Sequence, residues 1–204
     1  MRERERVVAV YGGSFNPPHV GHAMVAQWVV WTGRADAVWF VPVYQHAFEG
    51  RHNKTLASFG RRVDWCHALV EDLGAGFEVS TVEATLSPPS YTIHTLEHLA
   101  EVHEQTRFRL IIGADSIPDL PEWHRWSDIA ARFDPIIVGR QGHSAPPDIQ
   151  TVDFPNVSST EVRQRLEQGL SVDHLLTRGV ASMVTARRSG ASVEADQGYR
   201  GEER

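Results

Sequence analysis

The sequence predicts an α/β fold: a doubly wound parallel sheet with helices on both faces. Three observations predict it. Short, nearly continuous apolar runs recur along the chain, as in strands buried on both sides. Segments of helical spacing separate them, the alternation of βαβ units. Glycine or proline closes many of these runs, which is where a strand hands over to a loop.

Residues 7–11 form the first β-rich run, and Gly12-Gly13 ends it. Residues 19–31 are apolar on nearly all sides and read as a buried helix. Residues 37–43 are a second fully apolar strand, followed by a long polar loop at 44–57. Helical spacing returns over 58–73, with Val63, Cys66, Leu69, Val70 and Leu73 on one face. Residues 77–82 alternate like a strand. Ser87-Pro88-Pro89 breaks the chain, and Ser90 is placed to cap a helix over 91–104. Residues 108–112 are another buried strand, closed by Gly113. Short helical pieces follow over 117–132, around Pro118 and Pro121. Residues 135–138 are strand-like, 141–150 form a loop, and 150–153 give a short last strand. Ser158 or Ser159 caps a helix over 160–168, which Gly169 terminates. Residues 180–187 give a last short helix. Residues 1–187 therefore read as one domain, and 188–204 as a polar, disordered tail.

The 204 residues suffice for one well-buried domain. A net charge of -6 argues against a general nucleic-acid binder, which needs a basic surface. No apolar run reaches membrane-spanning length, and the charged start MRERER does not resemble a secretory signal. Cys66 is the only cysteine, so neither an internal disulfide nor a multi-cysteine zinc site can form. A reducing cytoplasm is the expected compartment. Oligomeric state is not legible.

In a doubly wound sheet ligands lie beyond the carboxyl ends of the strands. The loop after the first strand carries the sharpest pattern there, GGSFNPPHVGH at 12–22. Gly12 and Gly13 let the backbone turn and approach a ligand. Asn16-Pro17-Pro18 stiffens the route into the helix. His19 and His22, three apart, share one face of its first turn, and Gly21 leaves room for a phosphate. A helix N-terminus attracts anions, and two imidazoles add donors. A second candidate anion pocket is VSSTEVR at 157–163: Ser158, Ser159 and Thr160 open a helix, and Arg163 follows one turn later. Serine-capped helices followed by arginine are also common for purely structural reasons. Two such cradles together suit a nucleoside triphosphate held at both ends.

These two segments resemble the signatures of the HxGH-motif nucleotidyltransferases. The stretch between them is similar to the bacterial nicotinate-mononucleotide adenylyltransferases, through SPPSYTIHTL (87–96), IIGADSIPDLPEWHRW (111–126), IIVGRQG (136–142) and VSSTEVRQRL (157–166). The resemblance implies a Rossmann-like nucleotidyltransferase fold. It implies transfer of AMP from ATP to nicotinate mononucleotide, giving deamido-NAD and pyrophosphate in NAD biosynthesis. Other acceptors, such as nicotinamide mononucleotide, and a non-catalytic nucleotide-binding protein of the same fold stay open.

The resemblance also implies roles. His19, His22 and Arg163 hold the ATP phosphates and the transition state. Gly12, Gly13, Ser14 and Phe15 line the nucleotide loop, and Gly113 and Asp115 edge the adenosine pocket. Arg140 lies near ATP, and Ser159 and Thr160 complete the triphosphate cradle. Tyr91, Thr92 and Trp123 face the pyridine nucleotide. Mg²⁺ is expected on the phosphates, with no dedicated protein cage. Physical alternatives accompany two of these roles: Trp123 can plug the core edge, and Asp115 can cap a helix.

Members of the family usually carry a Pro-Pro-His string with a basic residue after the second strand. Here residues 41–54 read VPVYQHAFEGRHNK. His46 and Lys54 are the candidates to supply that charge, with Arg51, His52, Arg61 and Arg62 as further ones. Asn16 stands where many members have Asp, and His124 where an aromatic such as tyrosine is frequent. His94 and His98 read as surface residues of a helix rather than as zinc ligands.

Overall fold

The computed structural model describes residues 4–45, 56–143, 145–147 and 149–186. His46 and Lys54, and the tail from 188, lie outside the described residues.

Six strands form one sheet: β1 (Arg6–Gly13), β2 (Ala37–Pro42), β3 (Phe77–Val79), β4 (Thr106–Gly113), β5 (Ile136–Arg140) and β6 (Asp153–Phe154). Their order is β3-β2-β1-β4-β5-β6, with every pairing parallel. The chain builds outward from β1 to β3, then returns to the other side of β1 and builds outward again. The order therefore reverses between β1 and β4, and a crevice opens at their carboxyl ends.

Parallel strands need crossovers, and these supply the two helical layers. Strand side chains alternate between them. Ala9, Val38, Phe40, Ile111, Ile136 and Val138 pack on the side of α1 (Val20–Trp31), α2 (Phe59–Leu73), α5 (Ser159–Glu167) and α6 (Arg178–Ala186). Val8, Val10, Trp39, Val41, Leu110 and Ile112 pack on the side of α3 (Thr92–Val102) and α4 (Trp126–Phe133). Burial on both faces is why these strands read as continuous apolar runs.

Several boundaries differ from the sequence reading. Gly12 and Gly13 extend β1 rather than end it, because both pair in register with β2, opposite Val41 and Pro42. Residues 80–82 do not continue β3; the chain bends into a 3-10 turn at Val82–Thr85. The last strand is Asp153–Phe154, not 150–153, because only these residues pair with β5 in register. Ser90 does not cap α3; Tyr91 holds that position, and Ser90 instead pairs with Gln45. Helix α1 is not buried all round: Met24 is exposed and Trp31 is 79% exposed.

Candidate active site

The loop after β1 turns at Phe15, not at the glycines. Phe15 has φ 44°, and its ring covers Gly13, where an added methyl would meet ring carbons at 3.1–3.3 Å. Gly12 is open, with nothing within 4 Å of such a methyl. The loop is clamped from below by Arg62, which is 2% exposed and donates to three carbonyls: Ala57 (3.1 Å), Ser14 (3.0 Å) and Val43 (2.8 Å). Arg62 is therefore not a phosphate ligand. Its guanidinium replaces water for backbone groups that secondary structure leaves unpaired.

His19 is the N-cap residue of α1 and His22 lies in its first turn, so their rings stack with centroids 3.8 Å apart. His22 Nδ1 accepts the backbone N–H of His19 at 3.1 Å. That bond leaves the His22 proton on Nε2, the nitrogen then able to donate to a ligand. His19 is 7% exposed, and its Nδ1 is buried with no hydrogen-bond partner. Gly21 does not leave an empty space for phosphate. The His19 ring fills it, and a methyl at position 21 would lie 3.0 Å from Nδ1. Burial pushes His19 down to about 4 and His22 well below its ordinary value, with Arg140 adding in the same direction. Both imidazoles are thus neutral hydrogen-bonding groups at neutral pH.

The second signature docks directly on the first. Arg163 donates to the carbonyl of Asn16 at 2.8 Å and to Thr160 Oγ1 at 3.2 Å. Ser159 Oγ donates to the carbonyl of Pro17 at 2.8 Å. Ser158 is the N-cap, its Oγ accepting the Glu161 N–H at 3.1 Å. A loop after β1 and a helix after β6 thereby form one wall.

Across the crevice, Asp115 and Arg140 meet in an ion pair of 2.9 Å, both partly exposed. Arg140 also donates to the Val157 carbonyl at 3.0 Å, tying β5 to the approach of α5. Asp115 is not the N-cap of its 3-10 helix; Gly113 is. A methyl at Gly113 would sit 2.3 Å from Asp115 Oδ1, so any larger residue there would turn that carboxylate aside.

The third wall is aromatic. Tyr91 and Thr92 open α3, and the Tyr91 ring lies 4.5 Å from that of His124. His94 is 5.5 Å from each. Trp123 precedes His124, packs partly on the core and meets Trp126 edge-on at 6.2 Å. The residue as a whole is half-buried.

One residue was expected in another role, and one escaped the sequence reading. Arg62 falls on the buried stripe of α2 with Cys66 and Leu69, at i, i+4 and i+7, and that spacing was its signal. Glu83 is 8% exposed and is the sole Asp, Glu, Lys or Arg between residues 79 and 96. It accepts the Tyr44 N–H at 2.9 Å and the Thr95 hydroxyl at 3.2 Å. Among the described residues, no three His, Cys, Asp or Glu side chains converge as metal ligands, and no helix is long and apolar enough to cross a membrane.

Comparison with known proteins agrees with this geometry. Residues 10–165 match the cytidylyltransferase-like family. The chain is 41% identical over 182 residues to a probable nicotinate-nucleotide adenylyltransferase of Anaeromyxobacter sp. (strain K), covering 88% of this chain and 94% of that protein. It is 37% identical over 164 residues to the one from Myxococcus xanthus, covering 79% and 83%. The fold resembles that of Plasmodium falciparum nicotinic acid mononucleotide adenylyltransferase complexed with NaAD, with TM-score 0.72 at 19% identity, covering 90% of this chain and 96% of that one. The chain belongs to the cytidylyltransferase-like family and, within it, to the nicotinate-nucleotide adenylyltransferases.

Proposed function

We propose that the protein transfers AMP from ATP to nicotinate mononucleotide, forming deamido-NAD and releasing pyrophosphate. The docking of α5 on the loop after β1, through Arg163 and Asn16, carries this reading. It sets the histidine pair, a permanent cation and two helix N-termini around one crevice, which suits a triphosphate.

An oxygen of the acceptor 5′-phosphate attacks the α-phosphorus in line. The bond from that phosphorus to the α–β bridging oxygen breaks, and pyrophosphate leaves with the electron pair. The attacking oxygen is already anionic, so no strong general base is needed. Positioning and charge stabilisation do the work. His22, with its proton on Nε2, donates to a phosphate oxygen. His19 and Arg163 hold the remaining charge, and Ser159 and Thr160 shape the cradle. Gly12, Gly13, Ser14 and Phe15 form the floor.

Asp115 and Arg140, with Gly113, edge the adenosine side. Tyr91, Thr92 and Trp123 take the pyridine nucleotide, where a tryptophan face can stack on a pyridinium.

Mg²⁺ fits this donor set as an ion carried by phosphate oxygens and water. Asp115 is already paired with Arg140, and among the described residues no three His, Cys, Asp or Glu side chains converge to hold a metal ion. When bound, the ion neutralises triphosphate charge.

Incubation with ATP and each candidate acceptor, followed by pyrophosphate release, tests the reading. Release with nicotinate mononucleotide, and much less with nicotinamide mononucleotide, is expected. Release with neither would leave a nucleotide-binding protein without this activity.

A further inference from the structure

Glu83 belongs to none of the signatures, yet it sits under the aromatic wall. Its Oε2 accepts the backbone N–H of Tyr44, just past β2, and its Oε1 accepts the hydroxyl of Thr95 on α3. The backbone N–H of Ser90 donates to the Gln45 carbonyl at 3.0 Å, and Gln45 N–H donates to Ser90 Oγ at 3.3 Å. Thr95 N–H in turn donates to the Tyr91 carbonyl at 3.3 Å. One buried carboxylate thus braces Tyr91 from both flanks: through Tyr44 and its neighbour Gln45 to Ser90 immediately before it, and through Thr95 one helical turn after it. It also binds that unit to the end of β2. A buried carboxylate is costly unless its lone pairs are filled, so these donors are held as firmly as they hold it. The Arg62 guanidinium supplies the nearby positive charge, and Arg62 itself fixes the loop after β1.

We propose that Glu83 is a positioning residue for the pyridine-nucleotide acceptor, setting Tyr91 in place through Ser90 and Thr95. It does not touch substrate. The proposal rests on the assignment of Tyr91 and Trp123 to the acceptor side.

The carboxylate acts through hydrogen bonds rather than through its charge at the site. Glu83→Gln keeps an acceptor for Tyr44 N–H and gives Thr95 a donor once its hydroxyl rotates, whereas Glu83→Ala loses every tie. Steady-state kinetics with nicotinate mononucleotide and ATP varied separately, together with thermal melting, test this. In Glu83→Ala the KM for nicotinate mononucleotide should rise about tenfold or more, with the KM for ATP within about twofold. Glu83→Gln should keep both KM values within about threefold while melting earlier, because Arg62 loses its counter-charge. A purely structural role would move both KM values together, or lower melting with neither changed, and either result overturns the proposal. Where Glu83→Ala fails to fold, Thr95→Val and Ser90→Ala replace it; each should raise the KM for nicotinate mononucleotide alone, and unchanged values in both would overturn the proposal. Wild-type inactivity towards nicotinate mononucleotide would instead refute the underlying functional reading, so the two failures are distinct.

Discussion

Arg163 Nη1 lies 2.8 Å from the carbonyl oxygen of Asn16, joining helix α5 to the loop after β1 across 147 residues of sequence. The contact fixes the distance between the histidine pair and the permanent cation of the site. Arg163 therefore has a structural share, and since a guanidinium has five N–H donors and two suffice for Asn16 and Thr160, donors remain for the phosphate role proposed for it. Arg163→Lys should retain charge but lose the fork. We expect the KM for ATP to rise about tenfold, with a smaller change for nicotinate mononucleotide. Equal KM values for ATP in the two proteins would refute this.

His22→Ala removes a donor and also the acceptor that orients the His19 N–H. Turnover should fall about 10²–10⁴-fold. The far-ultraviolet circular dichroism spectrum should be unchanged, because the side chain lies at a helix start and not within the main core clusters. Near-normal turnover would sink the mechanism.

His19 sets an acid sensitivity. Its folded value, about 4, lies below the ordinary 6.5. As pH falls through 6.5 the unfolded chain takes up a proton that the folded protein refuses, so stability is lost between about 6.5 and 4. The limit is on the order of 3 kcal/mol. His22 acts in the same direction. Glu83, raised by burial, acts oppositely: it loses stability as pH rises above 4.5. Urea unfolding of wild type and His19→Asn at pH 7 and pH 5 should show a smaller drop in the variant. Equal drops would contradict the assignment.

Arg62→Met removes three bonds to buried or half-buried carbonyls and leaves Glu83 without its cation. We expect a loss of about 3–5 kcal/mol in urea denaturation. A loss under about 1 kcal/mol would mean that the loop after β1 does not depend on this clamp.

Much of the fold was legible because burial on both faces writes itself into composition. Residues 37–43 and 108–112 are apolar at nearly every position for that reason. The boundaries were less legible. Glycine at 12 and 13 resembles a turn in one dimension, but these residues pair with β2, and only a neighbouring strand decides that. The last strand was placed early for the same reason: two residues have no period, and contact with β5 alone defines them.

The site divides in the same way. The chemistry of His19, His22, Ser159 and Arg163 was carried by residue type and spacing, since phosphate recognition needs donors at helix starts. The partners were not. Nothing local links Arg163 to Asn16, Asp115 to Arg140 or Glu83 to Tyr44. Gly21 illustrates the difference, because the space it leaves is taken by the His19 ring rather than by open crevice.

By itself, then, the sequence determined most of the strands and helices, the two helix starts proposed to hold phosphate and the resemblance that names the reaction. These follow from periodicity and from side-chain chemistry, which are local. The tertiary structure decided which groups meet at the crevice between β1 and β4, which carbonyls each arginine holds, and why a lone glutamate lies beneath the aromatic wall. Hydrogen bonds act over about 3 Å, and which groups come that close is set by packing across the whole chain.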